Sequence, residues 1–351
     1  MVYSLAMGLK AKDVHCEVAS YLTDGILRKK LNQNNIQTHL LKTGNGLNPK
    51  LSFAVYRLIK QTGAQLIHTH HIGPYVYAVL PAKLAGIPIV HTEHSRELYG
   101  HYKINFIGRS MDALSTVVCV ADEIAAFRAA QFGKKPLVIE NGVQIPQTIS
   151  PSKQLKARKL LGINPSDYVV GCVARISPEK DHSTLLKAFQ KLNKDCPSAK
   201  LVLVGTTPKK NDYENLTSQI AQMQLSKNVL MLGNRNDVDE IYPCFDVIAL
   251  SSKREGLPLA LLEGMAHGIP AVATSVGGIT KLLSNGGGIT MPAGDIDSLA
   301  SALTLYENNV AKRKEHGDQA RKLILSKHSE TKMVEDYLKI YSMLLGSKTQ
   351  A

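Results

Sequence analysis

Residues 169–180, VVGCVARISPEK, with the helical stretch 181–192 after them, and residues 247–274, VIALSSKREGLPLALLEGMAHGIPAVAT, share one order of parts: an apolar run, a polar loop, then a helix. Short runs rich in Val, Ile and Leu that alternate with helical patterns of about 10 to 15 residues mark parallel sheets built from βαβ units. Working outward from these segments, the pattern predicts strands at 168–174, 200–204, 229–232, 247–250, 271–273 and 288–291. It predicts an earlier series at 16–22, 38–42, 66–70, 87–92, 117–120 and 137–139. Between the two series, residues 143–153 (VQIPQTISPSK) concentrate Pro, Ser and Gln and read as a linker. Near the end, Met333, Val334, Tyr337, Leu338, Ile340, Tyr341 and Leu344 recur at helical spacing, so 329–345 reads as an amphipathic helix. The expected organisation is a first domain over 1–148, a second over 149–328, and a C-terminal helix over 329–351 packing back toward the first.

The length of 351 residues suits two α/β domains, and no run approaches the roughly 18 apolar residues that span a bilayer. The opening MVYSLAMGLKAK has neither a basic start ahead of an apolar stretch nor a cleavage site, which sets the expectation of a cytoplasmic chain. Five scattered cysteines never pair as CxxC, which argues against a disulfide framework or a zinc knuckle. The net charge of +13 calls for an acidic partner. With no basic arm, zinc finger or aromatic RNA-binding signature, nucleic acid is set aside in favour of phosphates and an anionic membrane surface.

Arg175 and Lys180 follow a predicted strand and precede a helix. In an open parallel sheet that position projects into the ligand crevice, where a planar fork and a point charge together can clamp a diphosphate. A solvated basic loop would look the same. In REGLPLALLEGMAHG, Pro258 fits the first turn of a helix whose N–H groups favour an anion, which puts Glu255 beside that anion. Glu263, about two turns along, can accept hydrogen bonds from both hydroxyls of a ribose. Small Gly264, Ala266 and Gly268 permit close approach. An amphipathic helix with exposed acids is the plain alternative, but the strand context and the cation pair point independently to the same crevice.

RISPEK followed by EGLPLALLEGMAHGIPAVAT resembles the retaining glycosyltransferases of family 4, and HTEHS, VIENGV, LVLVG and GNRNDV fit in order over nearly the whole chain. The resemblance implies the GT-B fold, α/β with two Rossmann-like doubly wound domains facing across a cleft. It implies transfer of a sugar from a nucleotide diphosphate sugar to a glycan or lipid-linked acceptor, with retention and no obligatory metal or other cofactor. Carried over by position, Arg175 and Lys180 bind the diphosphate, Glu255 the donor sugar and Glu263 the ribose. Gly256, Leu257, Pro258 and Leu259 complete that loop, and Gly233 and Arg235 lie near the base. His94 matches the histidine that faces the transferred sugar. A satisfied structural histidine is the alternative there, as is a metal site for the cluster His68, His70, His71, His91 and His94.

Two departures accompany the resemblance. GGITK places Lys281 where the family usually has Glu. The chain also opens within the helix that normally follows a first strand and a glycine-rich loop. That strand is central in a doubly wound sheet, so its two neighbours are expected to lack a partner, as in a truncated product. An inactive sugar-nucleotide-binding protein and a sugar-nucleotide epimerase are the competing readings. A dehydrogenase is weaker, because no GxGxxG follows an early strand.

Overall fold

A computed structural model describes residues 1–21, 25–41, 48–94, 109–207 and 209–346. The chain divides into two compact units, one of residues 1–142 with 330–351 and one of residues 143–329.

In the second unit six parallel strands are β7 (Val169–Val173), β8 (Lys200–Val204), β9 (Val229–Met231), β10 (Val247–Leu250), β11 (Ala271–Thr274) and β12 (Gly288–Met291). They lie in the order β12-β11-β10-β7-β8-β9. Read from β9, this is the 3-2-1-4-5-6 order of a doubly wound sheet, and its order reverses between β7 and β10. The strands are apolar because helices cover both faces: Val169, Val170, Leu201, Val202, Val247, Ile248, Ala271 and Val272 have no solvent exposure. The helices of this unit include α7 (His182–Asp195), α8 (Lys210–Gln222), the short α9 (Val238–Ile241), α10 (Leu259–Ala266), α12 (Ile296–Asn308) and α13 (Val310–Lys327). Gly264 of α10 sits so close to the sheet that a Cβ there would stand 2.8 Å from Ile248 Cδ1.

The segment read as a linker is shorter than its composition suggested. Helix α6 (Pro151–Leu160) begins inside it, because Ser150 accepts a hydrogen bond from Lys153 N and Pro151 supplies the helical φ of the first position. Arg158 of that helix is buried and donates to Asp246 at 2.7 Å, an acid that also accepts from Val169 N at the start of β7.

Among its described residues the first unit holds two parallel sheets. β1 (Val18–Ser20) pairs with β2 (Thr38–Leu40), and β3 (Ile67–His70), β4 (Ile89–Glu93), β5 (Thr116–Cys119) and β6 (Leu137–Val138) form the other in that order. Among the described residues no ladder joins β1 to β3, the two strands that would flank a central first strand. Around these sheets run α1 (Val2–Lys10), α2 (Ile26–Gln33), α3 (Pro49–Thr62), α4 (Ile72–Ala85), α5 (Asp122–Phe132) and the last helix, α14 (Glu330–Gly346). Met333, Val334, Tyr337, Ile340 and Tyr341 of α14 share a core with Leu5, Leu9, Val90 and Val118. A Cβ on Gly8 would lie 2.3 Å from Val334 Cγ2, so glycine is what lets α1 and α14 approach.

All twelve expected strands are present, with ends within two residues of the sequence reading. The largest discrepancy is β1, which is three residues long.

Candidate functional site

The loops after β7 and β10 flank the point where the strand order of the second unit reverses, the place where open α/β sheets bind ligands. The β7 loop carries Arg175 with its side chain exposed, then Lys180 half-buried. The β10 loop carries Glu255, whose side chain is 7% exposed. Lys180 Nζ donates to Glu255 Oε1 at 2.6 Å, and Ser252 Oγ donates to the same oxygen at 2.6 Å. Two residues read separately from the sequence therefore form one ion pair. An ammonium has three donors, so Lys180 keeps hydrogen-bonding capacity for an anion while holding Glu255.

The two loops are fixed to each other by backbone. Ser251 Oγ donates to Asp181 O at 2.8 Å, and Lys253 N donates to Glu179 O at 2.7 Å. Asp181 adopts a left-handed φ of 47°, a strained choice for a non-glycine residue, and its carboxylate accepts from Thr184 Oγ1 at 2.9 Å. From the far side, Gly278 N donates to Gly256 O at 2.7 Å. Gly277 has a φ of 56°, and a Cβ there would lie 2.1 Å from Glu255 O, so only glycine lets the loop after β11 press on the Glu255 backbone.

Helix α10 starts at Leu259, with Pro258 at its N-cap instead of in its first turn. The cause is the extended ψ of 121° at Pro258, which leaves the Leu259 and Ala260 N–H groups as the unpaired start of the helix. Glu263 accordingly lies just over one turn along, not two. Its carboxylate accepts from Tyr242 OH at 2.8 Å, and burial raises its pKa from the ordinary carboxylate value. An ionised Glu263 in that setting gains from any further donor that reaches it. Gly233 holds a φ of 65° at the end of β9 and accepts from Gly205 N at 2.8 Å. Arg235 donates through two nitrogens to Asp237, at 2.8 and 2.6 Å. Lys281 is exposed on α11 (Gly278–Leu283), the helix that Gly277 introduces. A cavity of about 210 Å³ bounded by Ile176, Ser177, His182, Asn215 and Gln219 takes in none of Arg175, Lys180, Glu255 or Glu263.

In the first unit, β3 and β4 end in a histidine cluster. His70 Nδ1 lies 3.1 Å from His94 Nε2, and His68 bridges Tyr341 OH at 2.5 Å and Thr92 Oγ1 at 2.7 Å. His94 follows β4, one residue beyond Glu93. Burial pushes the His68 and His94 pKa values down to about 3 and takes His70 well below its ordinary range. These rings are neutral in the fold, and each hydrogen bond needs one tautomer. Beneath them Arg128, 1% exposed, donates to Glu93 at 3.2 Å and to Asp112 at 3.1 Å, and the Tyr75 ring stacks on His91 with centroids 3.9 Å apart. Among the described residues no group of three or more His, Cys, Asp or Glu is arranged to hold a metal ion.

The family model described as Glycosyltransferase Family 4 matches residues 1–146, and that described as Glycosyl transferases group 1 matches residues 153–323. The chain belongs to glycosyltransferase family 4. A UDP-Gal:alpha-D-GlcNAc-diphosphoundecaprenol alpha-1,3-galactosyltransferase from Escherichia coli is 28% identical over 270 residues, 72% of this chain and 69% of its own length. Other curated relatives are matched over about a third to seven-tenths of their length. A glycosyltransferase from Rickettsia africae superposes with a TM-score of 0.86 at 20% identity, covering 97% of this chain and 93% of the other. The Anabaena protein Alr3699/HepE, solved in complex with UDP and glucose, gives 0.85 at 22% identity, covering 97% and 95%. The fold is that of the GT-B glycosyltransferases, and nucleotide sugars are the donor class.

The sequence reading of this glycosyltransferase missed Ser252 and Tyr242, the partners of the two site acids. A Ser-Ser pair directly after an apolar strand was the available signal for Ser252. Tyr242 lies 21 residues before Glu263 with no local pattern linking them. His70 was read only as part of a possible metal cluster, and its contact with His94, which joins two strands, left no local signal.

Proposed function

We propose that this chain transfers a sugar from a nucleotide diphosphate sugar to a glycan or lipid-linked acceptor with retention of configuration, without an obligatory metal, as a peripheral protein of the cytoplasmic membrane face. The observation that carries the reading is the Lys180–Glu255 ion pair, braced by Ser252, at the reversal point of the donor-domain sheet. In this reading Arg175 and Lys180 neutralise the diphosphate, Glu255 accepts from hydroxyls of the donor sugar, and Glu263 accepts from the ribose. The loop 256–259 lies along the phosphates, and Gly233 and Arg235 lie beside the base. The acceptor oxygen forms its bond to the anomeric carbon as the bond from that carbon to the diphosphate oxygen breaks, and the acceptor proton passes to a departing phosphate oxygen. Cationic stabilisation of that diphosphate supplies most of the acceleration. His94 takes part as a neutral hydrogen-bonding ring. The E. coli relative's name, a UDP-galactose enzyme acting on a diphosphoundecaprenol-linked sugar, supports a lipid-linked acceptor class.

The test is product analysis. Incubation with UDP- and GDP-sugars and a membrane-extracted acceptor is expected to give a glycoside of the donor's own anomeric configuration, read by NMR coupling, at a rate that EDTA leaves within about twofold. An inverted product, or complete loss with EDTA restored by a divalent ion, overturns the mechanism. Conversion of the free donor without an acceptor would instead identify an epimerase, and donor binding without any turnover an inactive binding protein.

A further inference from the structure

Between Asp24 and Glu93 the chain contains no acid at all, although an even spread of its 29 acids would put about five or six there. The same interval holds eight lysines and arginines. Two helices of this interval, α3 and α4, pack on each other, with Val55 of α3 against the cluster of Tyr75, Ala78, Val79 and Ala82 of α4. Amphipathic helices turn their large apolar residues to the core and their polar ones to water. α3 follows that rule with one exception: Leu51 and Ile59 are buried, whereas Phe53 is 64% exposed on a helix that also exposes Lys50, Arg57 and Lys60.

α4 does not follow it. Its sequence IGPYVYAVLPAKLA is apolar on every side, with Lys83 its only charge. Tyr75, Ala78, Val79 and Ala82 fill the core side. Val76, Leu80 and Leu84, spaced four apart and therefore aligned, are 37%, 58% and 67% exposed. Isolated apolar residues on a surface are ordinary, but an aligned stripe of them with Lys83 as the only charged residue on the helix is not. In the sequence, residues 48–60 and 101–114 each mix cations with large apolar residues, the pattern of a membrane contact, and the first lies in α3 from Pro49 onward. Most of 101–114 lies outside the described residues.

We propose that the exposed side of α3 and α4 docks on an anionic phospholipid bilayer. Leu80, Leu84 and Phe53 enter the acyl boundary while Lys50, Arg57, Lys60 and Lys83 meet the headgroup phosphates. The charge argument selects the partner: two helices that carry no carboxylates and expose cations are not repelled by a dense layer of phosphates. The inference rests on the reading of a membrane-presented acceptor and names its docking surface.

Sedimentation with vesicles tests it on the full chain. At low salt the protein is expected to pellet with phosphatidylglycerol-containing vesicles, not with pure phosphatidylcholine, and to be released at high salt. The triple variant Lys50→Gln, Arg57→Gln, Lys60→Gln is expected to lower partitioning about 100-fold, roughly fivefold per cation. Leu80→Gln with Leu84→Gln is expected to lower it at least about 10-fold, since each substitution withdraws several methylene groups from the interface. UDP binding by calorimetry should be unchanged in both variants, which separates loss of docking from loss of the donor site. No pelleting of wild type with anionic vesicles at low salt overturns the proposal, as does pelleting that neither variant weakens. Light scattering that shows a wild-type dimer and a monomeric Leu80→Gln, Leu84→Gln variant would assign the face to a second copy instead, and would equally overturn it.

Discussion

Replacing Glu255 by Gln lowers turnover by at least about 100-fold while the melting temperature stays within a few degrees of wild type. The side chain is nearly buried and accepts two hydrogen bonds on one oxygen, from Lys180 and Ser252. Gln keeps the size and an acceptor oxygen, so packing survives, but it removes the charge that holds Lys180. The freed ammonium is then drawn to the ground-state diphosphate. Nucleotide affinity therefore stays level or rises while kcat falls, a split that distinguishes a role in the transfer step from simple loss of binding. Steady-state kinetics with calorimetry reads both. Turnover within threefold of wild type contradicts the role.

The first unit loses stability steeply in mild acid. His68, His70 and His94 are held neutral by burial, with His68 and His94 pushed to about 3. The unfolded chain takes up protons on these residues near pH 6.5, and the fold cannot follow until far lower pH. The stability that this neutrality preserves is complete above pH 6.5 and lost as pH falls toward the folded values. Between pH 6.5 and 5 His68 and His94 each cost about 2 kcal/mol, and His70 acts in the same direction. Together they consume a large part of the roughly 5–15 kcal/mol that a domain typically has in total. The expected result is a fall of more than about 10 °C in the melting temperature between pH 7 and 5, followed by circular dichroism. His94→Gln should flatten the pH dependence measurably, because it removes one of the buried rings that resist protonation. A melting temperature independent of pH across that range contradicts the account.

The parallel sheets were legible because buried strands must be apolar on both faces, as the central β7 and β10 are, while the edge strand β12 exposes Thr290. β4 shows the limit: it continues to Glu93, a buried acid, because Arg128 reaches it from α5. A partner 35 residues away leaves no trace in local pattern. The start of α6 was in principle readable, since Ser150 and Pro151 are a cap and a first-turn residue, but composition alone made the segment look like a linker. Within the site, the residue types and their place after strands were legible, and the pairing was not. Lys180 and Glu255 are 75 residues apart, and only the strand order brings β7 beside β10. The same holds for Gly277, where the need for glycine comes from the Glu255 carbonyl pressed against it.

Calorimetric titration of the full chain with UDP and GDP tests the central claim most directly, that the second unit is a nucleotide diphosphate site built on Arg175, Lys180, Glu255 and Glu263. The account predicts saturable one-to-one binding of at least one of the two, weakened about 10-fold or more in Arg175→Ala and again in Lys180→Ala, about 1.4 kcal/mol for each. No binding of either nucleotide, or affinities unchanged in both variants, would contradict it.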